Sequence, residues 1–565
     1  MRSSVWSLAV VIAASKVSAL ALTSDNQHRL EPDASRFGCQ LARPIDPSHD
    51  GLLSSDELFS GRGTIEEFVK RHQSLVRIPS VCYDDMGDVD EDERWDSFND
   101  IPDHIKKTYP HMYGLVYTVQ GSDEGLAPIL LTAHQDVVPV ESETLKDWEH
   151  DPFDGYYSQK DGYMWGRGAA SKAGMTAMMS ALEGLLSQGD YDPSRTVILA
   201  FGFDEECTGS RGASSISEFL ENRYGKGGIS VILNEGGGGL EMVGDTLYAL
   251  PAVYEKGYLD VSFDLNMIGG RSGTPTPRTA IGIVSEITTA LESNPFRPEV
   301  IRNSPVHEGL VCFTQYSPRA LPSLTQMIRW GDLRGAAQLW AQVSPEKRYS
   351  IQTSQAVNKI CGGQSFNALP ESVSLGVNLR VAPQDSIGGV QHRIVHLVQD
   401  IARKYNLQLE TFKGDQEYER YIAANGIAPE SSNPRSSWEP TYSGRLNLGR
   451  RRTVHSTPVS PTSGPIWDIF SGTVRHTFAR RGSTVVPAPG AMTGNTDTRH
   501  YLDLSTNIYR WTPGSLRSFS NINTINEKLL MSEHVNMAKF YYDFIRNFDQ
   551  ADISGREMKQ ERKDL

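Results

Sequence analysis

Cysteine is scarce. The 565 residues include five, Cys39, Cys82, Cys207, Cys312 and Cys361, widely spaced and with no Cys-x-x-Cys pair. This excludes a disulfide-stapled scaffold and a cysteine-held zinc. The odd count leaves at least one thiol unpaired or paired between chains, and any metal must use His, Asp and Glu. Positive charge is also in deficit. Lys and Arg total 55 against 69 Asp and Glu, for a net charge of −14 and a pI near 5.5. Such a chain is ill suited to nucleic acid or anionic membranes. No apolar run reaches the roughly 20 residues that cross a bilayer, and mean hydropathy is −0.40. There is no Asn-x-Ser/Thr sequon, which neither supports nor excludes a secretory route. Gly (50) and Pro (30) are ordinary in amount, so collagen-like and linker-like classes fall away. With 38% hydrophobic and 22% charged residues, a sizeable core can form.

The N-terminus carries Arg2, an uncharged stretch from Ser3 to Ser15, Lys16, and the small-x-small pattern Ala19-Leu20-Ala21. A cleaved secretory signal over 1–21 fits this pattern, with an uncleaved signal anchor as the alternative. Residues 22–55 are polar and Pro-containing and read as a leader. From 56 to 254, buried strands alternate with helices. Ile129–Ala133, Val197–Phe201 and Ile229–Leu233 are apolar runs of the parallel-strand kind. Met175, Met178, Met179, Leu182 and Leu186 recur at helical spacing. The pattern predicts an α/β fold with a parallel or mixed sheet flanked by helices.

Leu259, Val261, Phe263 and Leu265, and later Val373 to Val381, alternate with a period of two. Helix-period segments follow at 279–292 and 390–404. These units predict an inserted α+β domain over 255–412. An irregular connection is expected at 413–452, with Arg450-Arg451-Arg452 in a solvated loop. The first domain would resume over 453–549, before a charged tail at 550–565.

In a parallel sheet, ligands bind at the carboxyl ends of the strands. Those ends deliver His134-Gln135-Asp136, Asp204-Glu205-Glu206 and Asn234-Glu235, the last followed by four glycines. Gly494 to His500 forms a further polar loop. Each group alone is commonplace. Three acids directly after a buried strand are costly unless a cation or hydrogen-bond donors neutralise them. The conjunction points to a hydrolytic metal site with oxygen and imidazole ligands.

Several segments then carry a resemblance: Tyr83-Asp-Asp-Met-Gly87, Leu131-Thr-Ala-His-Gln-Asp-Val-Val-Pro-Val140, Trp165-Gly-Arg-Gly168, Phe203-Asp-Glu-Glu206, Glu255-Lys-Gly-Tyr-Leu259, Asn367-Ala-Leu-Pro-Glu-Ser-Val373, Ser460-Pro-Thr-Ser-Gly464 and Met492 to Tyr501. Over roughly 57–548 the chain resembles the carboxypeptidase S and aminoacylase branch of the di-zinc metallopeptidases, the Gly-Xaa carboxypeptidases. The resemblance implies a zinc-peptidase-type sheet with an inserted ferredoxin-like lid that mediates homodimerisation. It implies one or two Zn2+ ions here, and hydrolysis of amide bonds beside a free carboxylate in short peptides or N-acyl amino acids. It gives His134 as a metal ligand, Asp136 as its orienting carboxylate and Glu205 as general base. Glu206 and His500 would bind the second metal, and Asn234 or Glu235 would complete the first. Asn367, Arg271 and Arg499 would contact substrate. A secretory destination follows, vacuole-like or extracellular.

Three departures stand out. The family's bridging Asp belongs near Ala170 and Ser171, yet no Asp or Glu occurs between Asp161 and Glu183. Asn234 stands where a related pattern has Asp. Gly269-Gly270-Arg271 replaces Gly-Gly-His. Two readings result, an active metallocarboxypeptidase or a catalytically impaired homologue that acts as a binding protein.

Overall fold

The computed structural model describes residues 38–89, 91–109, 116–427, 444–515, 517–549, 551 and 553. The expected signal, the start of the leader and most of the tail lie outside the described residues. Gly38 onward forms one compact unit.

The central sheet has seven strands in the order Val116–Val119, Val197–Gly202, Ile129–His134, Val231–Asn234, Ile508–Arg510, Ala252–Glu255 and Gly490–Met492. Ile129–His134 lies parallel to both neighbours, with Ile129 opposite Val197 and Val231. Parallel strands bury both faces, which is why these runs are continuously apolar. Ile129, Leu131, Ala133, Leu199, Phe201 and Leu233 point into one core with the Ala173–Leu186 and Met531–Asp549 helices. Leu130, Ile198 and Ile232 point the other way, onto Ala213, Ile216 and Leu220 of the Gly212–Tyr224 helix. The three acid-bearing strand ends therefore emerge side by side.

A second sheet of five strands runs Ser354–Gly362, Ser372–Val381, Gly257–Met267, Gly444–Val454 and Leu407–Thr411. Its alternating residues Leu259, Val261, Phe263, Leu375, Val377 and Leu379 bury one face beneath the Ala280–Glu292 and Ile387–Lys404 helices. This is the α+β lid that the period-two pattern predicts.

The structure corrects three expectations about the chain's organisation. The 413–452 stretch holds the Gln416–Ala424 helix, and Gly444–Val454 is an inner strand antiparallel to Gly257–Met267. Leu446 and Leu448 enter the lid core, and Arg450, opposite Val261, pairs with Asp415 and Glu417 at its margin. The arginine run masked an ordinary half-exposed strand. Within the expected insertion, the Pro305–Tyr316, Pro322–Trp330 and Leu333–Trp340 helices join a separate core with Tyr248 and Val486. The later part of the leader is seated on the body. Cys39 is disulfide-bonded to Cys312, and buried Arg546 pairs with Asp50.

Candidate metal centre

His134 ends its strand with one ring face held. Its Nδ1 lies 3.0 Å from the Asp136 carbonyl and 3.3 Å from Asp136 Oδ1. Nε2 is thereby turned to the cleft, 3.5 Å from Glu235 Oε1. The buried Asp136 carboxylate accepts from the backbone N–H groups of Glu205 (3.1 Å) and Glu206 (2.9 Å). One side chain thus fixes the imidazole and the neighbouring strand end together. Asp204 accepts from the N–H groups of Arg211 and Gly212, both at 2.8 Å, and so belongs to the start of the next helix. Of the three consecutive acids, only the last two serve the cleft.

Ligand-type atoms of His134, Glu205 and Glu206 all lie within 4.8 Å of one another. Glu235 accepts from the His134 N–H at 2.6 Å, and Gly174 leaves room for it. A Cβ on Gly174 would sit 2.5 Å from Glu235 Oε2. Withdrawal from solvent pushes the carboxyls of Glu205, Glu206 and Glu235 up to about 7. Neighbouring carboxylates add to the shift and His134 opposes it. Burial resists protonation of His134, but Glu235 and Asp136 outweigh it and raise this imidazole well above its usual range. The cluster is short of positive charge at neutral pH.

These residues line a cavity of about 380 Å3 together with Ala170, Ser171, Asn234, Met492, Asp497, Thr512, Ile522 and Asn523. Asn234 is buried; its Nδ2 donates to the Thr132 carbonyl at 3.0 Å and its Oδ1 has no partner. Asp497 is buried with both carboxylate oxygens unpartnered, and burial followed by the Glu205 charge raises its carboxyl strongly. Unpaired buried acceptors beside three carboxyls and an imidazole fit a hard divalent cation. His134 and Glu206, with Glu235 beside them, would hold it.

Other predicted residues fall elsewhere. His500 is not in the ligand group. Its Nε2 faces the Thr208 carbonyl at 3.4 Å and Arg499 Nε at 3.2 Å. The short 3-10 turn Asp497–His500 presents Asp497 to the cavity, and His500, three residues on, faces the Thr208–Gly209 loop. Arg499 donates to the Thr208 carbonyl. Arg271 and Asn367 come together at the exposed ribbon formed by Gly270–Arg271 and Ala368–Leu369, where Ser272 N–H donates to the Asn367 carbonyl at 3.1 Å. Neither is among the cavity-lining residues.

Sequence reasoning missed Asn523 and Glu527. Asn523 reaches in from an exposed loop and donates to Glu206 Oε1 at 3.1 Å. The fully buried Glu527 accepts from the N–H groups of Gly168, Ala170 and Ser171 and from Arg167. It shapes the loop on which Ser171 stands. Asn521, Asn523 and Asn526 all have positive φ, a signal that an asparagine-rich loop is held in an unusual shape.

The sequence profile of peptidase family M20/M25/M40 matches residues 130–547. The chain belongs to the M20/M25/M40 peptidase family. It is 38% identical over 538 residues to an uncharacterized carboxypeptidase of Schizosaccharomyces pombe, covering 91% of this chain and 85% of the relative. It is 33% identical to carboxypeptidase S of Saccharomyces cerevisiae, covering 91% and 89%. Human carnosine dipeptidase 1 has a similar fold, with a TM-score of 0.58 at 13% identity, covering 90% of this chain and all of that one. The chain is thus a hydrolase of a metallopeptidase family, and the resemblance read from its motifs holds. The α/β body with its α+β lid is the M20 arrangement.

Proposed function

We propose that this M20 protein is a zinc-dependent carboxypeptidase that hydrolyses the C-terminal amide bond of short peptides or N-acyl amino acids. The observation that carries the reading is Glu205, set within 4.8 Å of His134 and Glu206 with a carboxyl near neutrality. A general base works best when its pKa lies close to the operating pH. A divalent cation held by His134 and Glu206 would polarise the amide carbonyl and make water more acidic. Glu205 takes the proton from the attacking water and returns it to the departing amine. Asp136 keeps His134 oriented and ties the Glu205–Glu206 backbone in place. Arg271 and Asn367, on the lid ribbon, are proposed to meet the substrate carboxylate when the lid approaches.

Glu205→Gln removes the proton acceptor while keeping size and shape. It is expected to lower kcat at least ~100-fold with little change in KM. Equal turnover by the variant would refute the mechanism. A second reading, an impaired homologue that binds peptides without cleaving them, is favoured by neutral Ala170 and Ser171 at the position expected to carry a bridging Asp. Peptide binding by calorimetry without turnover by the wild type would support that reading over the first.

The Cys39–Cys312 and Cys82–Cys207 disulfides support an oxidising, secretory destination, vacuole-like or extracellular. Among the described residues no helix is long and apolar enough to cross a membrane. The exposed edge strand Ser354–Gly362, one of two in the lid sheet, supports homodimerisation through that edge.

A further inference from the structure

The loops of Ser171 and Asn523 bring neutral groups to the cavity beside Glu206. Asn523 donates its amide to Glu206 Oε1 at 3.1 Å. The Ser171 hydroxyl lies 3.3 Å from Asn523 Oδ1 and 3.2 Å from Glu527 Oε1, and can donate to either. Glu527 is itself fully buried, with Oε2 2.7 Å from Arg167 and Oε1 accepting from three backbone N–H groups. On the strand side lie the carboxamide of Asn234, with its buried Oδ1 unpartnered, the Glu235 carboxylate beside His134, and Asp497, whose carboxylate is also unpartnered.

A second divalent ion beside the first requires anionic ligands. Two such charges about 3.5–4 Å apart repel strongly; the Asn523 amide and the Ser171 hydroxyl supply no compensating charge, and Asp497 is the one carboxylate of the cavity lining outside the Glu205–Glu206–Glu235 cluster. We propose that this site takes one divalent cation, and that Asn523 and Ser171 form a neutral clamp closing the position of a second. The clamp also holds Glu206 in place for the single ion. This inference rests on the cation-dependent reading above.

The amide-to-carboxylate changes Asn234→Asp and Asn523→Asp are isosteric. Aspartate tolerates the left-handed backbone that Asn523 adopts (φ 59°). The test is calorimetric titration of the metal-free full chain with Zn2+, checked by metal analysis after dialysis. The wild type is expected to bind one equivalent, and the double variant two. Two equivalents on the wild type would overturn the single-ion site. One equivalent on a folded double variant would overturn the clamp as the reason for exclusion. No zinc on a folded wild type would overturn the cation-dependent reading itself. Should the double variant fail to fold, N523G removes only the exposed amide and suits the same backbone. It is expected to weaken the single zinc about tenfold, and unchanged affinity would overturn the role of Asn523 in holding Glu206.

Discussion

Asp497 illustrates how a residue's environment sets its state. It is buried with no hydrogen-bond partner for either oxygen, and glycines at 202 and 209 leave it space. A Cβ at Gly202 would lie 2.3 Å from its Oδ2. A carboxylate so placed favours its neutral form. Asp497→Asn is therefore expected to stabilise the metal-free protein, as measured by urea unfolding at pH 7.5. A loss of stability would show that the ionised carboxylate has a compensating partner. At this scale the sequence was informative where a polar side chain follows a buried strand into the cavity. His134, Glu205, Glu206 and Glu235 were readable because an apolar run ends directly before them. Asn523 and Glu527 were not, because they lie on a loop whose approach to Ser171 is a tertiary contact more than 350 residues away in sequence. His500 faces the Thr208–Gly209 loop, and residue type alone does not say which way a short turn directs a side chain.

Among the elements, strand periodicity revealed Gly257–Met267 and Ser372–Val381, whose register runs from Gly257 opposite Val381 to Asn266 opposite Ser372. It failed for Gly444–Val454, where three consecutive arginines at a register shift break the alternation and obscure Leu446 and Leu448. Ser354–Gly362, one of the sheet's two edge strands among the described residues, exposes Ile360 and Cys361. Such an edge is a template for another strand. If two copies pair there, Ile360→Lys will shift the protein from dimer to monomer in sedimentation velocity. A wild type that sediments as a monomer at micromolar concentration, or an unchanged dimer in the variant, would exclude pairing at this edge.

For the whole molecule, the acid cluster links stability to pH and to the cation. Glu205, Glu206 and Glu235 each titrate near 7 in the metal-free fold, against about 4.3 in an unfolded chain. The folded state holds these protons more tightly. Their contribution is fully present below about pH 4.3 and is lost as pH rises through 7. The metal-free Tm is expected to fall by about 2 °C or more between pH 5 and pH 7.5. Added Zn2+ should raise Tm more at pH 7.5 than at pH 5, because at low pH it must displace protons. A Tm independent of pH, or a larger zinc effect at pH 5, would mean that the three carboxyls do not share one electrostatic site.

The most direct test is crystallographic: anomalous scattering at the zinc edge from crystals of the zinc-loaded chain. A single strong peak is expected about 2.0–2.1 Å from His134 Nε2, also bound by Glu206, with Glu205 left free to accept a proton. A peak centred on His500, or none in the cleft between the strand ends, would contradict the account.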